Sequence, residues 1–304
     1  MSEIELGKAC EAHLRQTRLN YIDRHGQRWL DVPGHALLPA DAPAPSFAPR
    51  AQKNIFYEQS TTLLLSYLFG RIKPRIFFDI GSASGYFSLL AASCKDAAIE
   101  AHAFDMRPAG KGDLDRQYAK LTLPGKVHAH LSGLSDEHQG ERDVWFARTQ
   151  MFEQEPPVEA YREAWHRRLK FWLRGDKTRG LHKAKVLLTS LDHFSTNVAW
   201  PELMKMDVDG YEGKVISGGK ALFASERAPV LLLELHRDAM QRDGFNRQTV
   251  VAPIFGCGYK ALFLTDHHDA TRCEVLPAGP EHELFRRQET DMVLFVPPRL
   301  ASAA

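Results

Sequence analysis

The chain has 304 residues, of which 44% are hydrophobic and 25% charged, with a formal net charge of +1. That length allows one large domain, or one domain with an accessory segment, with a core that folds without staples. The near-neutral total gives no whole-molecule electrostatic signal for a polyanionic partner. The cysteines Cys10, Cys94, Cys257 and Cys273 form no C-x-x-C pair, which argues against a disulfide framework and a structural zinc site. The N-terminal stretch is acidic and lacks an apolar core, and no apolar run is long enough to span a bilayer. The expectation is a soluble, cytoplasmic protein, with peripheral contact at a membrane surface left open.

Residues 1–50 read as a polar helix, to about residue 18, followed by an arm. The arm carries turn signals at Gly26 and Pro33-Gly34 and a Pro/Ala-rich stretch ending near Pro49. Residues 51–304 read as the main domain. It opens with a helix over 56–70, stopped by Gly70. Short apolar strands then follow at Ile76–Asp79, Ile99–Asp105, Val127–Ser132, Leu203–Val208, Val230–Leu235, Tyr259–Leu264 and Met292–Val296. Fully apolar strands alternating with helices predict a mostly parallel α/β sheet covered on both faces. The last two strands lack an obvious helix between them, so they are expected to form an antiparallel edge pair.

Residues 147–185 interrupt the pattern. Between Arg162 and Lys185 lie nine lysines and arginines against two acids, a net +7 in a chain whose remainder is acidic. Residues 159–174 predict a basic amphipathic helix. Tyr161, Trp165, Leu169, Trp172 and Leu173 fall on one face, and Arg162, Arg167, Arg168, Lys170 and Arg174 lie around it. Such a helix suits an anionic interface, a lid over an anionic or membrane-associated acceptor, a solvated face or an oligomer contact. Nucleic acid ranks lower as a partner, since no nucleic-acid-binding module is visible.

The first main-domain strand ends Asp79-Ile-Gly81-Ser82-Ala-Ser-Gly85-Tyr86-Phe87, a glycine turn that opens a helix. Gly81 lets the backbone turn beside a ligand, and Gly85 lets the helix start lie close to it. Asp79 makes this loop a better host for a cationic or amine-bearing ligand than for a pyrophosphate. One strand later comes Asp105, 20 residues after Gly85, suited to accept hydrogen bonds from ribose hydroxyls. Met106 follows it, and Ser132-Gly133 closes the third strand. Asp79, Gly81, Ser82, Gly85, Tyr86, Phe87, Asp105, Met106, Ser132 and Gly133 are the expected cofactor-binding residues.

These segments resemble the FkbM-type methyltransferase family. Phe78–Ser88 is similar to its first motif, and Ala103–Pro108 to its acidic second-strand motif. Leu134-Ser135-Asp136 with Gly140, Thr189–Asp192, Leu233–His236 and Leu294–Pro297 also fit. The stretch Lys205-Met206-Asp207-Val208-Asp209-Gly210-Tyr211-Glu212 is the most specific match. Ala83 departs from the usual Asn, and Asp209 from the usual Glu. The resemblance implies a Rossmann-like class I methyltransferase fold with a seven-stranded sheet and S-adenosylmethionine as cofactor. It implies methyl transfer to a hydroxyl of a glycan or other natural product. An NAD-dependent oxidoreductase and a non-catalytic binding protein are the alternatives. The first lacks support from the loop spacing and from any Tyr-x-x-x-Lys pair.

An alcohol acceptor must lose a proton, so a base is expected at the strand ends. Asp207, Glu234 and His236 are the candidates, with His236 favoured because an ordinary imidazole titrates near working pH. Asp209 and Glu212 precede a helix, and Glu212 reads as a charge stabilising its macrodipole. The cluster has ligands for Mg²⁺ but no diagnostic spacing, so no metal is assigned.

Overall fold

Strands that lie inside a sheet covered on both faces must be apolar throughout, and such strands dominate the middle of this chain. The computed structural model describes residues 3–42, 47–147, 150–152, 154–157, 181–236, 244–266, 269, 271–286 and 290–301. A small N-terminal sheet holds β1 (Asn20–Arg24), β2 (Gln27–Asp31) and β3 (Leu38–Pro39). The main sheet holds β4 (Ile76–Ile80), β5 (Glu100–Asp105), β6 (Lys126–Ser135), β7 (Gly140–Ala147), β8 (Gln150–Phe152), β9 (Leu181–Ser190), β10 (Leu203–Met206), β11 (Val230–Leu235), β12 (Lys260–Thr265), β13 (Cys273–Ala278) and β14 (Asp291–Val296). The helices are α1 (Glu3–Gln16), α2 (Ala48–Gln52), α3 (Gln59–Ile72), α4 (Tyr86–Ala92), α5 (Pro108–Tyr118), α6 (Leu191–Asn197), α7 (Glu212–Ser217), α8 (Lys220–Ala224), α9 (Arg247–Gly256) and α10 (Pro298–Ala301).

The main sheet runs β13-β12-β14-β11-β10-β4-β5-β6-β9-β7-β8. From β11 to β9 every neighbouring pair is parallel, and the flanks are antiparallel. The seven strands expected from sequence are β4, β5, β6, β10, β11, β12 and β14, and together they make a class I methyltransferase fold. The count of seven is nevertheless corrected to eleven. β7, β8, β9 and β13 extend the sheet at its two edges. β14 is antiparallel as expected, but it lies between β11 and β12 rather than at the edge.

Each face carries its own apolar layer, because alternate residues of a strand point to opposite faces. Phe77, Ala101, Leu203 and Leu232 pack with α3, α4 and the N-terminal segment. Phe78, Phe104, Met204 and Leu231 pack with α6, α7 and α9. The N-terminal segment is built into the first layer: Cys10, Leu14, Leu30 and Val32 are buried in it. Helix α3 begins later than expected, after Glu58 in the left-handed region, and runs past Gly70 to a left-handed cap at Lys73.

The expected insertion at 147–185 is in part sheet. β8 and β9 take residues 150–152 and 181–190, while the expected basic helix over 159–174 lies outside the described residues. On β9, Lys183 pairs with Asp143 of β7 at 2.8 Å and lies over the Trp145 ring. Among the described residues, no helix is long and apolar enough to cross a membrane.

Candidate active site

Sequence order reverses between β4 and β10: β5 follows on one side of β4, while β10 lies on the other. Open α/β sheets bind ligands in the crevice at such a switch point, outside the carboxyl ends of the strands. Here the Gly81 loop folds hard against the end of β10. A Cβ on Gly81 would sit 1.7 Å from the Asp207 carbonyl oxygen, and its φ is +80°. The Gly81 and Ser82 amides donate to the Phe104 carbonyl, each at 3.0 Å, which ties the loop to β5. Gly85, φ +83°, begins α4, and a Cβ there would meet Leu114 of α5 at 2.5 Å. The two glycines therefore let three elements converge on one loop.

Around that loop the chain concentrates buried carboxylates. Asp79 is fully buried; its Oδ2 accepts from Ser88 Oγ at 2.7 Å, and its Oδ1 has no partner. Burial pushes its carboxyl up to about 6 against the opposing pull of Lys205. Lys205 is 2% exposed and donates to Asp207 Oδ2 at 2.9 Å, with its ammonium 4.9 Å from the Phe87 ring centre. Burial alone would strip its proton. The carboxylates of Asp207, Glu58, Asp79 and Glu234 outweigh that and hold it firmly charged. Asp207 shows the converse balance: burial raises it, but Lys205 and His236 keep it below the ordinary carboxylate range.

His236 lies just past the end of β11, where four carboxylates meet. Its Nδ1 donates to Glu212 Oε1 at 2.9 Å. Its Nε2 is 3.4 Å from Glu234, 3.5 Å from Asp207 and 3.5 Å from Asp209. Burial lowers an imidazole, yet the Glu212 bond and the surrounding negative charge win, raising His236 to about 9. The resting ring is an imidazolium. That differs from the expectation of a pKa near working pH, and the cause is tertiary. Asp207, Asp209 and His236 also each present a ligand atom within 4.8 Å of one another, so the cluster is able to hold a cation.

Glu212 is not merely a helix-terminal charge. It is fully buried, and its Oε1 accepts from the Val208 and Gly210 amides as well as from His236. It fixes both the loop after β10 and the ring. Glu58, buried with Oε2 unpartnered, is an acid of this cluster not singled out from sequence. It stands at the start of α3, far from any motif, and nothing in its local sequence signals the site.

The other expected cofactor residues are also gathered at this end, in differing states. Asp105 is engaged: Oδ1 accepts from the Arg107 amide and Nε, and Oδ2 from Nη2 at 2.8 Å. Ser82 and Asp105 line a narrow pocket with Lys111, Leu114 and His130. Ser132 Oγ is buried without a partner beside Gly133, where a Cβ would lie 2.4 Å from Met106 Sδ. Tyr86 and Phe87 are turned into the core; Tyr86 accepts from Thr62 Oγ1 at 3.2 Å, and Phe87 supports Lys205. A larger cavity of about 310 Å³ is lined by His13, His35, Tyr67 and Cys94 and lies away from this loop. Because a Cβ at Gly133 would meet the buried Leu188 Cδ2 at 2.8 Å as well as the flexible end of Met106, Gly133→Ala is expected to cost about 1–3 kcal/mol. Urea unfolding checks this, and an unchanged midpoint would mean that Met106 and Leu188 do not fill this space.

Fold and site together define a methyltransferase-type α/β domain with an acidic, glycine-lined crevice. The chain belongs to the methyltransferase FkbM domain family, whose profile matches residues 119–270. The match includes Ser132, Gly133 and the whole Asp207–His236 cluster, and leaves the Gly81 loop and Asp105 outside it. No curated protein matches the chain in sequence. Among solved structures it is similar to methyltransferase FkbM from Methylobacillus flagellatus, with 12% identity and a TM-score of 0.41, covering 83% of this chain and 58% of that one. An SAH-bound methyltransferase of Podospora anserina shows 10% identity and a TM-score of 0.40 over 95% of this chain and 94% of that one. An O-methyltransferase from Bacillus cereus, in complex with SAH, shows 11% identity and a TM-score of 0.38 over 83% and 89%.

Proposed function

We propose that the protein transfers a methyl group from S-adenosylmethionine to a hydroxyl oxygen of a glycan or other small natural product. The observation that carries this reading is the excess of buried negative charge at the switch point. Five buried or half-buried carboxylates, Glu58, Asp79, Asp207, Glu212 and Glu234, surround Lys205 and His236, with the exposed Asp209 at the rim near Arg107. Oxygens of Glu58 and Asp79 are buried without partners. Such a crevice fits a ligand carrying an ammonium and a sulfonium, and it disfavours a pyrophosphate.

When bound, the cofactor supplies an electrophilic methyl group. The protein's own part is positioning and proton management. The Gly81 turn sets the depth of the crevice. Asp105, once shared with Arg107, accepts from ribose hydroxyls, and Ser132 Oγ is free to receive a further donor. A second cation in the crevice divides the attention of Asp207 and Glu234, so His236 holds its proton less tightly. We infer that His236 first releases its Nε2 proton to solvent and that the neutral ring then takes the acceptor's proton through Nε2, while Glu212 keeps Nδ1 in place. Nε2 is the nitrogen that faces the crevice carboxylates, Asp207 and Glu234 among them. The net +7 between Arg162 and Lys185 is proposed to favour an anionic acceptor.

Asp105→Ala is expected to weaken S-adenosylhomocysteine by about 1.5–3 kcal/mol, the worth of a hydrogen bond to a charged group. Arg107→Gln frees the same carboxylate and is expected to retain or tighten binding. Calorimetry on both variants, beside a thermal-shift comparison with NAD, checks the assignment. Unchanged affinity in a folded Asp105→Ala protein, or stabilisation by NAD alone, would overturn it.

A further inference from the structure

At the opposite end of the sheet, β5 and β6 carry four polar side chains on one face. Parallel register sets His102 beside His128 and Phe104 beside His130, with Glu100 two residues before His102. The three imidazoles stack: ring centres of His102 and His128 are 4.9 Å apart, and those of His102 and His130 are 5.1 Å apart. Phe194 of α6 closes the stack edge-on. Glu100 and Asp105 stand at opposite ends of β5, about 16 Å apart at the usual rise per residue, so Glu100, His102 and His128 are separate from the crevice, while His130 at the inner end of the stack also lines the narrow pocket beside Asp105.

We propose that Glu100 Oε1, His102 Nε2 and His128 Nε2 form a binding site for Zn²⁺. One carboxylate and two imidazoles are a donor set this ion takes readily, with a fourth position left for water. The three ligand atoms lie within 4.8 Å of one another. Glu100 Oε1 is 3.7 Å from His102 Nε2 and 2.7 Å from His128 Nε2. Tetrahedral Zn²⁺ with bonds near 2.05 Å wants its ligands about 3.3 Å apart, a spacing those two values bracket.

Hydrogen bonding points the same way. His102 is buried, with a side chain 5% exposed, yet its Nε2 has no hydrogen-bond partner. His128 Nε2 is equally unpartnered: despite its closeness to Glu100 it is not aligned for a hydrogen bond. Two buried ring nitrogens and a carboxylate oxygen thus converge without satisfying one another. A buried polar atom left so is costly unless something else meets it. On its other side, His102 Nδ1 shares a 3.0 Å hydrogen bond with His130 Nε2. With the proton on Nδ1 and donated to His130, Nε2 of His102 is a bare lone pair, in the way an outer partner orients a metal-binding histidine. Glu100 and His128 are 41% and 42% exposed, so an ion reaches the site from solvent. A bound ion would clamp the amino ends of β5 and β6.

The test titrates Zn²⁺ into metal-stripped full-length protein against a chromophoric chelator. The expected result is one tight equivalent that survives in Asp209→Asn and His236→Gln, which alter the other cation-capable cluster. His128→Gln, a half-exposed position that leaves the fold alone, is expected to weaken that equivalent by at least about 100-fold, and His130→Phe by about 10–100-fold. S-adenosylhomocysteine binding should be the same in His128→Gln as in the parent. Absence of binding at low micromolar Zn²⁺, or binding indifferent to His128→Gln and Glu100→Gln, would overturn the proposal and leave the histidines as a packed stack.

Discussion

Replacing Lys205 by methionine is expected to destabilise the protein by about 3–5 kcal/mol, because it leaves buried carboxylates without their cation. In a melt this corresponds to a fall on the order of 10 °C. Methionine keeps most of the stem that lies over Phe87, so packing loss is the smaller part. The ammonium is what Asp207 Oδ2 touches at 2.9 Å and what opposes the burial of Asp79. The deficit should depend on pH with a definite sign. Without Lys205, the folded-state pKa of Asp79 climbs further above its unfolded value. A raised carboxyl loses stability as pH rises from its unfolded pKa through its folded one, so the variant should be penalised more at pH 8 than at pH 5. Adding Asp207→Asn should recover part of the loss, since the two groups are directly coupled. A loss below about 1 kcal/mol at neutral pH would show that the carboxylates are stabilised by something other than Lys205.

This cluster marks the boundary of what the sequence alone conveys. The seven inner strands are legible because strands buried on both faces must be apolar along their whole length, as in Val230–Leu235. β7 and β9 are not, because they lie toward an edge of the sheet and mix polar and apolar residues. Lys183 and Lys185 sit on β9 in a run whose charge suggests a solvated insertion, yet Lys183 answers Asp143 across the ladder. The local order of Asp79, Gly81 and Gly85 is equally legible, since a strand–turn–helix needs glycine where φ turns positive and neighbours press close.

What no local spacing reveals is convergence. Glu58, Asp207, Glu212, Glu234 and His236 come from three separate segments, and only the fold makes them one electrostatic unit. Glu212 at the start of a helix has every appearance of a dipole charge until the fold brings it beside the end of β11 and buries it on His236. Asp105 was legible as an acid at the right strand end, but not its engagement by Arg107 two residues on. The Glu100, His102 and His128 group is invisible for a similar reason. Residues alternating along two separate strands become neighbours only once the parallel register is set.

The second large effect concerns His236 and its proton. His236→Gln is expected to lower turnover by roughly 10²–10⁴, the usual worth of a general base, with much less effect on cofactor affinity. The pH dependence separates this role from a structural one. His236 is raised from 6.5 to about 9, so its charged form stabilises the fold. That contribution, roughly 3 kcal/mol, is fully present below about pH 6.5 and is lost as pH rises through about 9. The stability gap between parent and His236→Gln should therefore close on the alkaline side. Activity moves in the opposite direction, because only the neutral ring accepts a proton. For the acceptor, kcat/KM should climb with pH toward about 9, since that quantity reports the free enzyme, whereas kcat should level off at lower pH because the bound cation has eased the proton away. Glu212→Gln removes one of the carboxylates holding the imidazolium, so it should shift the kcat/KM limb to lower pH while reducing its plateau through a less well fixed ring. A histidine that served only to tie β11 to α7 would lose stability in these variants without moving the limb. A kcat/KM profile flat from pH 6 to 9 in the parent would take His236 out of the proton transfer and leave Asp207, Asp209 or Glu234 to accept it.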